Sequence, residues 1–219
     1  METDNLEKSD HSRTPFELKS RSDWPRLLTA LGYIGSGVEV GVLRGDFSKF
    51  LLQTWQGKKL FLVDSWRHHE GLLDINNPDR TGHLNNMTKA FENIYELGPR
   101  AVIIRDLSES AAQLFQDESL DFVYLDAGHR YADVAHDLCA WFPKVRQGGL
   151  IGGDDYLDGI YTFKQFPDSI IDFGVKSAID DFVKAMNYPL HVFGEGQFPQ
   201  WWTLKIDSRP LTPSDFKAI

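Results

Sequence analysis

Residues 119–156 read SLDFVYLDAGHRYADVAHDLCAWFPKVRQGGLIGGDDY, and this stretch decides the fold. Strand-forming residues fill 120–126 and 150–153, whereas apolar residues recur every three or four positions over 131–146. The first pattern predicts buried strands, and the second predicts an amphipathic helix, whose end suits the glycine pair at 148–149. A strand, a helix and a strand in this order predict neighbouring parallel strands covered by the helix.

The same alternation of strand and helix patterns extends along the chain in both directions. Further strands are predicted at 37–42, 59–64, 101–105, 190–195 and 200–206, and further helices at 45–56, 87–97, 108–116 and 175–186. The connection 194–199 is too short for a crossover helix, so the last two strands should form an antiparallel hairpin. The prediction is an α/β fold, Rossmann-like and doubly wound. Its seven-stranded sheet is mostly parallel, with an antiparallel C-terminal hairpin.

Composition limits the domain organisation and the classes of partner. The 219 residues are 42% hydrophobic and 25% charged, which suits one globular domain over 15–219 behind a disordered polar leader, 1–14. A net charge of −9 speaks against a nucleic-acid partner, which needs a basic face. No stretch resembles a membrane span or a signal peptide, so a cytoplasmic location is predicted. The lone Cys139 is interpreted as a structural thiol.

The first strand and the loop after it point to a particular ligand chemistry. Gly41 and Gly45 allow close approach of the backbone, but their spacing is not the pattern of a dinucleotide site. Glu39, inside the strand, would repel a pyrophosphate and attract a cationic group. Asp64 ends the second strand, where a carboxylate can bind both hydroxyls of a ribose. A positively charged nucleoside without phosphate, such as S-adenosylmethionine, is therefore predicted, and a nicotinamide oxidoreductase is disfavoured.

Three aspartates follow two neighbouring strands of the predicted sheet. Asp126 ends one strand, Asp154 and Asp155 end the next, and the three carboxylates should meet at one edge. Such a cluster is costly unless a proton or a cation intervenes, and oxygen ligands suit Mg²⁺, Ca²⁺ or Mn²⁺. His129 is the candidate general base, since its ordinary pKa of about 6.5 suits proton transfer near neutrality.

Each of these assignments has a structural alternative. Asp154 or Asp155 can simply cap the turn after its strand. Asp126 can form the floor of a cofactor cleft by bonding backbone amides, and His129 can make a purely structural hydrogen bond.

Several segments together resemble the class I S-adenosylmethionine-dependent methyltransferases. They are VEVGVLRGDFSKFLL, LFLVDSW, IIRDLSESAA, the stretch quoted first and FGVKSAIDDF, which cover about 35–185. The likeness is closest to the macrolide-sugar and noviose O-methyltransferases. The resemblance implies that Glu39, Gly41 and Gly45 line the methionine part of the cofactor and that Asp64 holds its ribose. It implies further cofactor contacts from Ser48, Ser65, Trp66, Ser108 and Asp126.

The chain departs from these relatives at two places. They often carry glycine at the position of Asp106, and many read Gly-His-Asp-Tyr where this chain reads GDDY over 153–156. The second difference favours the subgroup that uses a metal, with Asp126, Asp154 and Asp155 as ligands.

Two long polar or aromatic connections are predicted to enclose the site. The insertion 66–86 should form a lid, and 157–173 should form a second wall. The predicted activity is methyl transfer to a hydroxyl of a small molecule, with a divalent metal, in a chain that can form a homo-oligomer. The alternatives are a metal-independent O- or N-methyltransferase with His129 as base, and a non-catalytic S-adenosylmethionine-binding partner protein.

Overall fold

The computed structural model describes residues 17–72, 74–164, 166–194 and 196–217, and the predicted leader 1–14 lies outside them. The helices are α1 Trp24–Ala30, α2 Asp46–Thr54, α3 Arg80–Ile94, α4 Ser108–Ala112, α5 Tyr131–Trp141 and α6 Val175–Met186. The strands are β1 Ser36–Val40, β2 Lys59–Asp64, β3 Ala101–Arg105, β4 Leu120–Leu125, β5 Val145–Gly153, β6 Asp158–Phe163, β7 Phe166–Gly174, β8 His191–Phe193 and β9 Gln200–Leu204.

The main sheet confirms the predicted fold class. Its seven strands lie in the order β3-β2-β1-β4-β5-β9-β8. The first five are parallel, whereas β9 runs antiparallel to both β5 and β8. Val40 of β1 lies opposite Val63 of β2 and Leu125 of β4. This register brings the residues that follow these three strands to one edge of the sheet.

Side chains that alternate along the central strands divide the core into two layers. Val123 and Leu125 of β4 pack with α4, α5 and α6 on one face of the sheet. Phe122 and Tyr124 alternate with these residues along β4 and pack with α1, α2 and α3 on the other face. A central parallel strand buried on both faces must be apolar throughout, which explains the continuous run FVYL.

The insertion after β2 is shorter than predicted. Helix α3 begins at Arg80, seven positions before the predicted start, because the side chain of Asp79 accepts a hydrogen bond from the backbone N–H of Gly82 at 2.8 Å. Such a cap satisfies one of the free N–H groups of the first turn. The non-helical connection therefore ends at Asp79, and His83 is a buried residue of α3 rather than a loop residue.

Two other boundaries correct the predictions. The helix predicted over 131–146 ends at Trp141, since Pro143 follows in a short 3₁₀ turn and β5 starts at Val145. The glycine pair 148–149 therefore lies within β5. The predicted wall 157–173 is a two-stranded antiparallel sheet of β6 and β7 rather than a loop. In the part of the chain that the structure describes, no helix has the length and apolarity to cross a membrane.

Candidate functional site

The loop 41–45 after β1 packs tightly against the end of β4. Gly41 has a φ of +88°, and a Cβ placed there would lie 1.8 Å from the backbone oxygen of Asp126. Gly45 has a φ of +72° and precedes α2, and a Cβ there would lie 3.1 Å from the Cα of Ala90. Both glycines are thus required by the local backbone. At Gly41 there is no room for a side chain, and at Gly45 the left-handed φ would strain any other residue. They hold the loop directly beside Asp126.

Glu39 and Ser48 lie together beneath this loop. Glu39 is 1% exposed, and its Oε2 accepts a hydrogen bond from the Ser48 hydroxyl at 2.6 Å. Burial raises the pKa of Glu39 to about 8, although Arg21 and the Ser48 hydroxyl act in the opposite direction. The partner that a buried carboxylate needs is therefore a neighbouring hydroxyl. Contact of Glu39 with a cofactor stays a prediction.

Asp64 connects the end of β2 to the same loop. Its Oδ2 accepts hydrogen bonds from the backbone N–H groups of Val42 at 3.0 Å and Leu43 at 2.8 Å. Its Oδ1 accepts one from the N–H of Trp66 at 2.7 Å. The Trp66 side chain is 2% exposed and donates from Nε1 to the oxygen of Leu43, so its indole belongs to the core. The Ser65 hydroxyl lies 3.4 Å from a ring nitrogen of His69.

Ser108, the predicted adenine contact, is engaged with helix α5. Its hydroxyl donates to Asp137 and accepts a hydrogen bond from Nε1 of Trp141 at 2.8 Å. Burial raises the pKa of Asp137 to about 7, against the effect of the Ser108 hydroxyl. These contacts attach the start of α4 to α5, and a role of Ser108 toward adenine stays a prediction.

Two of the three carboxylates predicted to converge, Asp126 and Asp155, lie around His129. Its Nε2 lies 3.1 Å from Oδ2 of Asp155 and 4.0 Å from Oδ1 of Asp126. Its Nδ1 lies 3.4 Å from Oδ2 of Asp74, in the insertion after β2. Burial acts to lower the pKa of His129, but the three neighbouring carboxylates outweigh it and hold the pKa well above its ordinary value. The three carboxylates therefore favour the protonated form of His129.

Arg21, in the turn before α1, lies between the other two acidic groups. It contacts Oδ2 of Asp126 at 2.7 Å from one terminal nitrogen and Oδ2 of Asp154 at 3.1 Å from the other. Its guanidinium lies 4.1 Å from the ring centre of Phe47 and 5.0 Å from that of Tyr124. Burial raises the pKa of Asp154 to about 7, with Asp126 adding to the effect and Arg21 opposing it.

Asp154 and Asp155, adjacent in sequence, therefore belong to different groups. Asp154 pairs with Arg21 and also accepts hydrogen bonds from the Gln200 side chain and the Asp155 N–H. Asp155, whose φ is +59°, pairs with His129. Sequence reasoning missed Arg21 and Asp74, since each lies in a polar connecting segment far along the chain from the acidic pair.

The chain itself thus supplies two positively charged partners for the acidic cluster. They are the guanidinium of Arg21 and the protonated form of His129. A divalent cation can also be accommodated by part of this cluster. Possible ligand atoms of Asp126, His129 and Asp155 all lie within 4.8 Å of one another, whereas Asp154 lies outside this group. Two carboxylates and one imidazole are a donor set that divalent metals use.

Aromatic side chains form a wall next to His129. The ring centre of Phe173, in β7, lies 5.0 Å from that of His129. Tyr161 of β6 lies 5.3 Å from Phe173 in an edge-to-face arrangement, and the partly exposed Phe198 lies 6.1 Å from Phe173. The predicted second wall is therefore built by the β6–β7 sheet, and the predicted lid reaches His129 through Asp74.

Comparison with known proteins relates this site to an enzyme family. More than half of the chain, residues 38–156, matches a family model described as a methyltransferase domain. No curated protein matches the chain by sequence. Among solved structures, one from Clostridium thermocellum named as an rRNA methylase is similar with a TM-score of 0.60 and 13% identity, covering 89% of this chain and 99% of its own.

Two further solved structures are named as O-methyltransferases. A caffeoyl-CoA O-methyltransferase from Staphylococcus aureus has a TM-score of 0.60 and 13% identity, over 87% of this chain and 85% of its own. An O-methyltransferase from Bacillus cereus, in complex with SAH, has a TM-score of 0.58 and 14% identity, over 90% of this chain and 84% of its own. At these identities the likeness establishes a shared fold.

Proposed function

The chain belongs to the methyltransferase domain family, and from this premise we propose that it transfers a methyl group from S-adenosylmethionine to a hydroxyl of a small molecule. The resemblance to class I S-adenosylmethionine-dependent methyltransferases is confirmed, and membership of the macrolide-sugar and noviose group stays a prediction. The observation that carries the proposal is the position of His129, Asp126 and Asp155 next to the glycine loop at the carboxyl edge of the sheet.

The charges around the loop suit the methyl donor. S-adenosylmethionine carries a sulfonium and an ammonium group, and Asp126 supplies negative charge at the carboxyl end of β4. Glu39 lies nearby as a buried, largely protonated acid, because its pKa is raised to about 8. Asp64 lies one strand away, where the ends of parallel strands bind ribose hydroxyls in related folds. A pyrophosphate would be repelled by the same carboxylates, which favours a nucleoside donor over a dinucleotide.

Methyl transfer from a sulfonium is a direct displacement, so the acceptor must present a lone pair in line with the methyl–sulfur bond. A hydroxyl becomes a competent nucleophile as its proton leaves. As an imidazolium, His129 orients Asp126 and Asp155 but cannot accept that proton. It can act as a general base only after its proton is lost, and the three carboxylates that face it oppose this loss.

We propose that Asp126, Asp155 and His129 hold a divalent cation during turnover, and that this cation displaces the proton from the His129 nitrogen that binds it. Such a cation, when bound, supplies a Lewis acid that lowers the pKa of a coordinated hydroxyl. The carboxylates favour Mg²⁺ or Mn²⁺, and the imidazole nitrogen shifts the preference toward Mn²⁺ and its neighbours in the first transition row. Asp154, which was predicted as a ligand, is assigned instead to Arg21.

The acceptor is proposed to be a small molecule that rests against the aromatic wall. Tyr161 and Phe198 flank Phe173 and give this side of His129 an apolar surface. The net charge of −9 is unfavourable for an RNA acceptor, although two similar structures are named as rRNA methylases. A cytoplasmic location and a homo-oligomeric state stay predictions.

The proposal is tested with the full chain in two steps. Binding of S-adenosylhomocysteine is measured by calorimetry, and transfer from labelled S-adenosylmethionine is measured on a panel of sugars, phenols and amines. We expect micromolar binding and methylation of at least one hydroxylated acceptor, abolished by EDTA and restored by Mn²⁺ or Mg²⁺.

Three results would contradict parts of this proposal. Full activity after complete removal of metal would support the metal-independent alternative, with His129 as base. Exclusive methylation of amines would overturn the hydroxyl acceptor. Binding without turnover on any acceptor, together with no effect of His129→Ala in a functional assay, would support a non-catalytic binding protein.

A further inference from the structure

We propose that Arg21 binds the α-carboxylate of the methyl donor and so orients its amino-acid part; this inference rests on the proposed function. Arg21 precedes α1, yet its guanidinium lies at the carboxyl edge of the sheet, above the second residue of α2, Phe47. It is therefore next to the loop 41–45, where the methionine part of the donor is expected.

The contacts of Arg21 leave hydrogen-bonding capacity unused. Each of its terminal nitrogens makes one ion pair, to Asp126 and to Asp154. Its Nε–H is shielded from solvent and has no hydrogen-bond partner among the described residues. A buried donor without an acceptor is unfavourable, so a ligand atom that accepts from it is stabilised. The side chain as a whole is 32% exposed, so an incoming anion can reach the guanidinium.

The charge pattern matches the amino-acid part of the donor, which is a zwitterion. Its ammonium group fits the side of the site where the Asp126 carboxylate lies, next to the buried and largely protonated Glu39. Its carboxylate needs a cation, and Arg21 is the cation that interacts electrostatically with both of these acids. A planar guanidinium also matches a carboxylate in geometry, because two parallel N–H groups can donate to its two oxygens.

This inference gives Asp154 the role of a positioning residue. Asp154 contacts Arg21 at 3.1 Å and is itself held by the side chain of Gln200. Gln200 in turn accepts hydrogen bonds from Trp24 at 3.2 Å and from the Tyr124 hydroxyl at 2.8 Å. Trp24 follows the turn that carries Arg21, so this network fixes the orientation of Arg21 from both ends.

The test compares two ligands that differ only in the carboxylate. S-adenosyl-3-thiopropylamine is S-adenosylhomocysteine without that group, and its affinity is measured by calorimetry alongside S-adenosylhomocysteine. The wild-type chain should bind S-adenosylhomocysteine about 10- to 100-fold more tightly, the range of a hydrogen bond to a charged group. Arg21→Gln should weaken S-adenosylhomocysteine binding by about that factor and leave the affinity for the amine within about twofold.

Two further variants guard against a trivial loss of folding. Arg21→Lys keeps a charge between Asp126 and Asp154 but lacks the planar group, so it should lose most of the preference for the carboxylate. Arg146→Gln is the matched control, because Arg146 also pairs with an aspartate, Asp121 at 2.7 Å, and lies 4.9 Å from a tyrosine ring, that of Tyr33. It should keep the full preference.

The outcomes separate this inference from the proposed function. An equal loss of affinity for both ligands in Arg21→Gln would make Arg21 a structural residue and overturn the inference. Tighter binding of either ligand in the variant would show that Arg21 competes with the donor, which also overturns it. Equal binding of both ligands by the wild type would overturn only the inference. No binding of either ligand would overturn the proposed function and the inference with it.

Discussion

Opposite ends of the same sheet carry two arginine–aspartate pairs with similar chemistry and different surroundings. At the amino end, Arg146 at the start of β5 pairs with a single carboxylate, Asp121, whose other oxygen accepts the N–H of Gly35 at 2.6 Å. At the carboxyl end, Arg21 pairs with Asp126 and Asp154 and keeps an unpaired Nε–H.

The difference distinguishes a structural ion pair from a binding site. At the amino end both oxygens of Asp121 accept hydrogen bonds, and among the described residues neither Arg146 nor Asp121 has a buried side-chain atom without a partner. At the carboxyl end four carboxylates share two cations. Burial and the nearby Asp126 raise the pKa of Asp154, whereas the neighbouring carboxylates raise the pKa of His129 against the effect of burial. Groups whose pKa values are strongly shifted by burial and by neighbouring charges cluster at functional sites.

The largest effect that tests this comparison should come from His129. In His129→Ala, methyl transfer should fall by about 100-fold or more, the usual contribution of a group that acts on the reacting proton or holds the ion that does so. Binding of S-adenosylhomocysteine should change little. His136→Ala is the control, since His136 on α5 is an exposed histidine 3.8 Å from one carboxylate, Glu109. Full activity of the His129 variant would remove it from the site.

The next prediction compares two variants that each neutralise one carboxylate, Asp155 at the carboxyl end of the sheet and Asp121 at the amino end. Only the first should lower turnover, and by less than His129→Ala. Asp155→Asn should weaken Mn²⁺ binding, followed by electron paramagnetic resonance, by about 10- to 100-fold and lower activity with it. Asp121→Asn should leave both unchanged and reduce the free energy of unfolding by about 1 kcal/mol, because it removes one ion pair and weakens one hydrogen bond. Equal effects of the two variants on Mn²⁺ binding would contradict the comparison.

A third prediction concerns the lid. Asp74 lies 3.4 Å from Nδ1 of His129 and also accepts the N–H of Asn76 at 2.7 Å. Asp74→Ala should lower kcat by about 10-fold, because His129 loses one of the groups that orient it. The affinity for S-adenosylhomocysteine should stay within about twofold of that of wild type. Parallel losses of turnover and cofactor affinity would show that the lid does not act through His129.

The last prediction concerns the pH dependence of stability, on which turnover does not depend. The pKa of Glu39 is raised to about 8 in the folded chain, whereas a free glutamate titrates near about 4.3. Between these values the folded state binds the proton more tightly than the unfolded state, so the free energy of unfolding falls as the pH rises. Glu39→Gln should flatten this dependence in denaturant titrations.

A glutamate on the surface provides the control for this measurement. Glu92 on α3 is exposed and pairs with Lys89, and Glu92→Gln should keep the wild-type dependence. An unchanged slope in Glu39→Gln would mean that Glu39 does not retain its proton when folded.

The strands of the main sheet were predictable because buried parallel strands leave a strong local signal. Runs such as KLFLVD and LDFVYL are apolar on both faces, and α6 was predicted at its observed bounds because its apolar positions keep a helical spacing over 175–186. The β6–β7 sheet was missed, since the segment 157–173 mixes aromatic, polar and proline residues without a clear alternation. Its pairing depends on packing over α5 and α6.

The candidate site was predictable where it depends on strand ends and not where it depends on distant segments. The gathering of Asp126, Asp155 and His129 follows from the ends of β4 and β5, which are neighbours in the sheet. Arg21 and Asp74 carry no such signal, because a polar residue in a connecting segment gains its role only from the place where the chain folds. The separation of Asp154 from Asp155 also needed the structure, since it depends on Gln200 in β9.

The most direct measurement is a crystal structure of the chain with S-adenosylhomocysteine and Mn²⁺, with anomalous data collected at the manganese edge. We expect the amino-acid part of the ligand between Arg21 and Asp126, and one manganese peak in contact with Asp126, His129 and Asp155. A ligand bound elsewhere, with the contacts of Arg21 to Asp126 and Asp154 unchanged and no manganese at the edge of the sheet, would contradict the assignment of this edge as the methyl-transfer site.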